Sequence, residues 1–273
     1  TFNSLNQYYK FQAQVPADIS IGLRVNPEHS DVNVDLYNPA NPYSRLGLTS
    51  KSLPKSLPPN IEGLHFHVLC ESSAAALVQV LKNFEKKFKN YLPNIKWINM
   101  GGGHLITKKG YDVQLLINTL KYFKIKYQVE IILEPSGAIA WQTGFLKTTV
   151  IDIVENHGSL TAVIDASFTC HMPDCLEMPY RPEILEGSQD PEKYSFRYNL
   201  GGISCLAGDY LEGYSFLKPL KIGDTLTFQD MMHYTMVKTT MFNGINHPSI
   251  GVVKSNQKFE LLKVFSYEDY RDK

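Results

Sequence analysis

The chain has 273 residues, and its 27 Lys and Arg balance 27 Asp and Glu, so the formal net charge is zero and no long run of either sign occurs. That composition gives no support to a nucleic-acid surface, and no apolar stretch approaches the roughly 20 residues that cross a bilayer. Four cysteines (Cys70, Cys170, Cys175 and Cys205), with no signal-like opening, point to free thiols in a reducing, cytoplasmic setting.

The chain opens on Thr1 with a strand-like run, Thr1-Phe2-Asn3-Ser4, as a fragment or processed chain would. Up to about residue 145, short apolar runs then alternate with helical segments, the pattern that builds parallel sheets and barrels. The runs are Ile19 to Val25, Gly63 to Val68, Ile95 to Met100 and Val129 to Leu133. Between them, Ser72 to Tyr91 carries Ala76, Leu77, Val80, Leu81, Phe84 and Phe88 at the spacing of one helix face. Tyr111 to Tyr122 repeats the pattern with Val113, Leu116, Ile117 and Leu120. Counting the Phe2 run, about five parallel strands are expected, whereas a (β/α)₈ barrel closes with eight. The expected fold class is therefore α/β plus β, with an incomplete TIM-type barrel over residues 1–145.

Beyond residue 145 the helical period fades and β-branched, aromatic and turn residues take over. Thr148 to Val154, Leu160 to Asp165 and Thr225 to Phe228 read as strands of an antiparallel domain over 146–273, with a turn at Lys221-Ile222-Gly223-Asp224.

Five motifs carry candidate chemistry. His65 and His67 lie two apart on one strand, so they share a face; taken alone, a strand histidine is more often a hydrogen-bonded core residue. Gly101-Gly102-Gly103 follows a strand, where backbone N–H groups can approach a phosphate, although any sharp turn also uses glycine. Glu134, directly before Pro135, ends an apolar strand at the end of a barrel where active sites are built; there it could hold a pyridine nitrogen, or merely cap. Cys205 sits in the glycine-rich stretch Gly201 to Asp209, where a thiol can serve as acid or nucleophile, though most free cysteines are inert. His233-Tyr234 is the fifth. Cys70 after His67 and the Cys170 to Cys175 segment lack a second ligand pair, so no metal is expected.

Taken jointly and in this order, the motifs resemble the alanine-racemase-fold decarboxylases that use pyridoxal phosphate, a group that includes ornithine, diaminopimelate and carboxynorspermidine decarboxylases. The resemblance runs over essentially the whole chain. It is strongest to the carboxynorspermidine/carboxyspermidine branch, through Tyr43-Ser44-Arg45-Leu46-Gly47, Glu62 to His67, Gly101 to His104, Thr107 to Asp112, Trp141 to Gly144, His171 to Asp174 and Cys205 to Asp209. It implies decarboxylation of a carboxylated polyamine, with His67 stacked on the cofactor ring, Gly101, Gly102 and Gly103 on its phosphate, and Glu134 on its pyridine nitrogen. Cys205 would reprotonate the α-carbon from across a homodimer interface, and Tyr234 would reach the phosphate. Asp209 matches an acidic residue of the cysteine loop. His171, Asp174, Asp209 and Arg45 are the expected substrate contacts, Asp174 for the amine end of the substrate.

The departures are specific. No lysine here has the context of the family's Schiff-base lysine, which is expected upstream of Thr1; Lys10, Lys51, Lys55 and Lys96 do not match. Ser136-Gly137 differs from the commoner sequence after Glu-Pro, and Cys70 stands near a position where relatives use serine. Leu206 replaces the acidic neighbour of ornithine and diaminopimelate enzymes. A sister basic-amino-acid decarboxylase and a non-catalytic homologue lacking the lysine are the alternatives.

Overall fold

A computed structural model describes residues 1–272. The chain divides into two compact units, Thr1–Ile139 and Ala140–Lys273, each with its own apolar core.

The first unit is a four-stranded parallel sheet, β1 (Ile21–Arg24), β2 (Ile61–His65), β3 (Trp97–Asn99) and β4 (Glu130–Ile132), in sequential order. Its opening differs from the expected strand. Phe2 makes a single parallel bridge to Leu23, and Ser4 then caps α1 (Leu5–Phe11) by accepting from the Gln7 amide. A serine side chain satisfies an otherwise orphaned helix N–H, which outweighs the extended preference of its neighbours. Helix α2 (Ala74–Phe88) starts at the cap Ser73 and buries the expected Leu77, Val80, Leu81, Phe84 and Phe88. Helix α3 (Val113–Tyr127) starts at Asp112, but buries Leu116 and Phe123 while Val113 and Ile117 stay exposed. A short helix, α4 (Ser136–Ala140), follows β4.

Strand register organises the sheet into layers. Gly22, Gly63 and Trp97 are register partners, and a Cβ on either glycine would lie 2.1–2.2 Å from the Trp97 ring, so only glycine lets the indole lie across β1 and β2. The next partners, Leu23, Leu64 and Ile98, face the other way and are fully buried. Arg24, His65 and Asn99 then return to the indole face as a polar layer. The ladder continues beyond the strands, with Phe66 N–H to the Asn99 carbonyl at 2.9 Å and Met100 N–H to the Ile132 carbonyl at 2.9 Å. It thereby carries His67, Gly101 and Glu134 side by side at the C-terminal end.

The second unit contains β5 (Phe145–Asn156), β6 (Ser159–Ile164), α5 (Phe168–His171), α6 (Asp174–Glu177), β7 (Gly187–Ser188), β8 (Phe196–Gly201), β9 (Tyr210–Phe216), β10 (Thr225–Gln229), α7 (Tyr234–Val237), β11 (Ile250–Val253), β12 (Phe259–Lys263) and α8 (Tyr267–Arg271). Six strands form one sheet in the order β10-β5-β6-β8-β9-β7, and β11 pairs with β12 in a separate hairpin. The sheet is mixed and not wholly antiparallel, because β6 and β8 run parallel. The intervening α5–α6 segment turns the chain so that β8 enters beside β6 in the same direction. None of the helices in the described residues is long and apolar enough to span a membrane.

Candidate active site

In the first unit, the side chains of His67, Asn99 and Glu134 meet at the C-terminal end of the parallel strands. The Asn99 amide donates to Oε1 of Glu134 at 2.7 Å, and its carbonyl oxygen accepts from Gly101 N–H at 2.9 Å. Gly102 N–H donates to Nδ1 of His67 at 3.0 Å, which leaves the imidazole proton on Nε2. Burial, reinforced by the positive charge of Arg24, holds His67 below the ordinary histidine range, against the opposing pull of Glu134. Burial likewise pushes His65 down to about 4. Both rings are thus neutral near pH 7.

The three glycines serve close approach. Gly101 and Gly103 have φ of 67° and 83°, and a Cβ on Gly102 would stand 2.6 Å from the Glu134 carbonyl oxygen and 3.1 Å from the His67 ring. Of the three amides, Gly101 N–H donates to Asn99 Oδ1 and Gly102 N–H to His67 Nδ1. Arg24, which sequence reasoning passed over as a strand residue, donates to the His67 carbonyl at 3.3 Å. Its guanidinium is held below the usual range by burial and by repulsion from Arg45, with Glu134 acting in the opposite sense. Arg24, Arg45, Asp35, Asn38, Tyr43 and His67 line one concavity of about 410 Å³. Two guanidinium groups there suit an anion. The available signal was a single charge ending the otherwise apolar run Ile19 to Val25.

In the second unit, Cys205 is exposed on the loop between β8 and β9. Asp209 is 3 % exposed and shapes that loop. Its carboxylate accepts from Ser204 N–H at 2.9 Å, Ser167 Oγ at 2.8 Å, Phe168 N–H at 2.6 Å and Thr169 N–H at 3.1 Å. Both Asp209 oxygens thus accept from backbone and hydroxyl donors of this unit. His171 is likewise engaged within this unit. It is buried, its Nδ1 accepts from Ser167 N–H at 3.1 Å, and its Nε2 therefore donates to the Asn246 carbonyl at 3.0 Å. Asp174 is ion-paired with Lys238, which also pairs with Glu177. Tyr234 opens α7 and is 55 % exposed. Among the described residues, no cluster of His, Cys, Asp and Glu could hold a metal ion.

A neutral imidazole with a fixed face, a carboxylate aimed by an amide, a glycine loop and Arg24, at the ends of parallel strands, with Arg45 from the β1–β2 segment beside them, fit an aromatic, anionic cofactor whose ring nitrogen needs a carboxylate. The fold is that of a pyridoxal-phosphate-dependent carboxy-lyase. Residues 17–232 match the family model for the pyridoxal-dependent decarboxylase, C-terminal sheet domain, and the chain belongs to that family. It is 50% identical over 275 residues to carboxyaminopropylagmatine decarboxylase of Synechocystis sp., covering all of this chain and 71% of that protein. It is 47% identical over 279 residues to the carboxynorspermidine/carboxyspermidine decarboxylase of Campylobacter jejuni, covering 98% of this chain and 72% of that protein. The crystal structure of carboxynorspermidine decarboxylase complexed with norspermidine, from the same organism, superposes with a TM-score of 0.88 at 45% identity, covering 98% of this chain and 73% of that one. A diaminopimelate decarboxylase structure shares the fold, with a TM-score of 0.80 at 19% identity over 99% of this chain and 70% of its own.

Proposed function

We propose that the protein decarboxylates a carboxylated polyamine, carboxynorspermidine or carboxyspermidine, giving norspermidine or spermidine, as a cytoplasmic homodimer. The observation that carries the substrate class is the 47% identity to the Campylobacter jejuni enzyme across 98% of this chain. Its relation to ornithine decarboxylase is far thinner, 24% over 161 residues for the rat enzyme. Leu206, in place of an acidic neighbour to Cys205, agrees with that difference. The 50% identity to the Synechocystis enzyme favours a second reading, in which the substrate is carboxyaminopropylagmatine and its far end is a guanidinium.

Pyridoxal phosphate, when bound, withdraws the electron pair left on the α-carbon as carbon dioxide departs. Glu134, aimed by Asn99, would accept the N–H of the pyridine ring and favour its charged form. His67, locked by Gly102 as the neutral Nε2–H tautomer, would present a flat face to that ring. Gly103, with Arg24 and Arg45, would receive anionic groups, and Tyr234 would add a hydroxyl to the phosphate. Cys205, from the partner subunit, would deliver a proton to the α-carbon. Asp174 would take the distal cation of the substrate once Lys238 is displaced.

The test is carbon dioxide release by the full-length, cofactor-loaded protein from carboxynorspermidine, carboxyspermidine, carboxyaminopropylagmatine, diaminopimelate and ornithine. A kcat/KM roughly 100-fold above the last two is expected for the first pair. Preference for carboxyaminopropylagmatine would establish the second reading, and no release from any of the five would refute both.

A further inference from the structure

Two independently anchored segments of the second unit meet at one contact, between Asn243 and Cys205. On one side, the Cys205 loop is pinned at both flanks. Ser204 N–H is held by Asp209, Leu206 N–H donates to Ser204 Oγ at 3.3 Å, and Asp209 N–H donates to the Leu206 carbonyl at 2.9 Å. The backbone of Cys205 is thus fixed, and the remaining freedom of its side chain is rotation about χ1. On the other side, Thr240 N–H donates to the Cys170 carbonyl at 2.8 Å, and Gly244 N–H to the Met241 carbonyl at 3.0 Å. Asn243 between them adopts the left-handed conformation, φ 55° and ψ 24°, which asparagine tolerates better than most side chains. Its Nδ2 donates to Sγ of Cys205 at 2.8 Å.

We propose that Asn243 is the positioning residue of Cys205, holding its thiol in one rotamer and stabilising the charge that sulfur acquires when it gives up its proton. The inference rests on the proposed role of Cys205 as proton donor. In that step the S–H bond breaks, a C–H bond forms at the α-carbon, and the S–H electron pair stays on sulfur until solvent returns the proton. An amide N–H directed at Sγ favours the thiolate product and leaves the S–H free to point elsewhere. No other side-chain hydrogen bond to Sγ occurs among the described residues, so removal of this donor acts directly on the thiol.

Two variants separate the donor from the backbone. Asn243→Gly keeps the left-handed conformation and deletes the amide, and Asn243→Asp keeps the shape and replaces the donor with a negatively charged acceptor. In the full-length holoenzyme, iodoacetamide labelling of Cys205, resolved by peptide mass, reads the thiol without any substrate. Both variants should slow labelling at neutral pH and move its half-maximal rate to higher pH, Asn243→Asp by about one unit. Decarboxylation should lose about tenfold in kcat with KM within twofold, and product made in deuterium oxide should lose stereochemical purity at the former carboxyl-bearing carbon. Wild-type labelling profiles in both variants would overturn the proposal, as would an Asn243→Asp enzyme indistinguishable from wild type, which would mean that the thiol donates to the amide oxygen. Altered labelling with unchanged kcat and stereochemistry would uphold the contact and refute Cys205 as the proton donor, which separates the two failures.

Discussion

Nδ2 of Asn99 donates to Oε1 of Glu134 at 2.7 Å, across the neighbouring ends of β3 and β4. The same side chain accepts from Gly101 N–H, so one amide sets both the carboxylate and the start of the glycine loop. Asn99→Ala should therefore weaken pyridoxal phosphate binding about tenfold or more, since a hydrogen bond to a charged group is worth about 1.5–3 kcal/mol. Asn99→Asp should be worse, because it sets two carboxylates together. Titration of cofactor absorbance checks the effect, and an unchanged Kd in both variants would show that Glu134 needs no such support.

Lys238 occupies the carboxylates of Asp174 and Glu177. If Asp174 receives the distal cation of the substrate, Lys238→Met removes an internal competitor, and KM should fall severalfold. Folding stability should change by no more than about 1 kcal/mol, as for partly exposed ion pairs. Asp174→Ala should raise KM about tenfold with a smaller effect on kcat. A KM unmoved by either substitution would place the cation elsewhere.

The histidines of the first unit make a signed prediction for stability against pH. His65, held at about 4, and His67 and His104, also lowered by burial, bind fewer protons in the folded state than their ordinary value near 6.5 allows in the unfolded chain. Their contribution to stability is complete above about pH 6.5 and is lost as pH falls below it, for His65 toward about 4. Denaturant midpoints at pH 7.5, 6 and 5 should descend in that order, and His65→Gln should flatten the descent. A midpoint that rises on acidification would contradict the assignment.

Gly103 and Gly110 share nearly the same backbone, with φ of 83° and 84°, but differ in surroundings. A Cβ on Gly103 would stand 2.1 Å from the Leu69 carbonyl oxygen, while none of the surroundings comes within 4 Å of one on Gly110. Gly110→Ala should cost about 1–2 kcal/mol from strain alone. Gly103→Ala should cost more than about 3 kcal/mol and disturb cofactor binding. Equal losses in thermal unfolding would mean that the loop shifts freely.

Local patterning made much of the first unit legible. The apolar spacing of α2, with Ser73 before it, and the four short runs identified helix and strands, because amphipathic period and capping are properties of neighbours in the chain. The weaker α3 misled by one face: its apolar residues surround more of the helix, and the packing partner decides which are buried. Strands β7 to β9, β11 and β12 went unread, because Gly213 interrupts β9 and β12 has no buried face to leave a pattern.

The site divides the same way. His67, the glycine loop, Glu134 and Cys205 stand out because they lie in short motifs whose residue types and order resemble those of the family, and Glu134 at a strand end is placed by local rules alone. Asn99, Arg24 and Asn243 do not stand out, since their roles depend on register between strands and on contacts 35 to 43 residues apart in the chain. The internal hydrogen bonds of His171 and Asp209 were equally hidden, because their donors come from Ser167 and Phe168 and, for Asp209, from a segment far away in the chain. The sequence by itself determined the family, the cofactor chemistry and the alternation of elements, because residue type and spacing act locally. Only the tertiary structure decided which of those polar groups remain available, because a buried donor or acceptor must find its partner wherever folding places one.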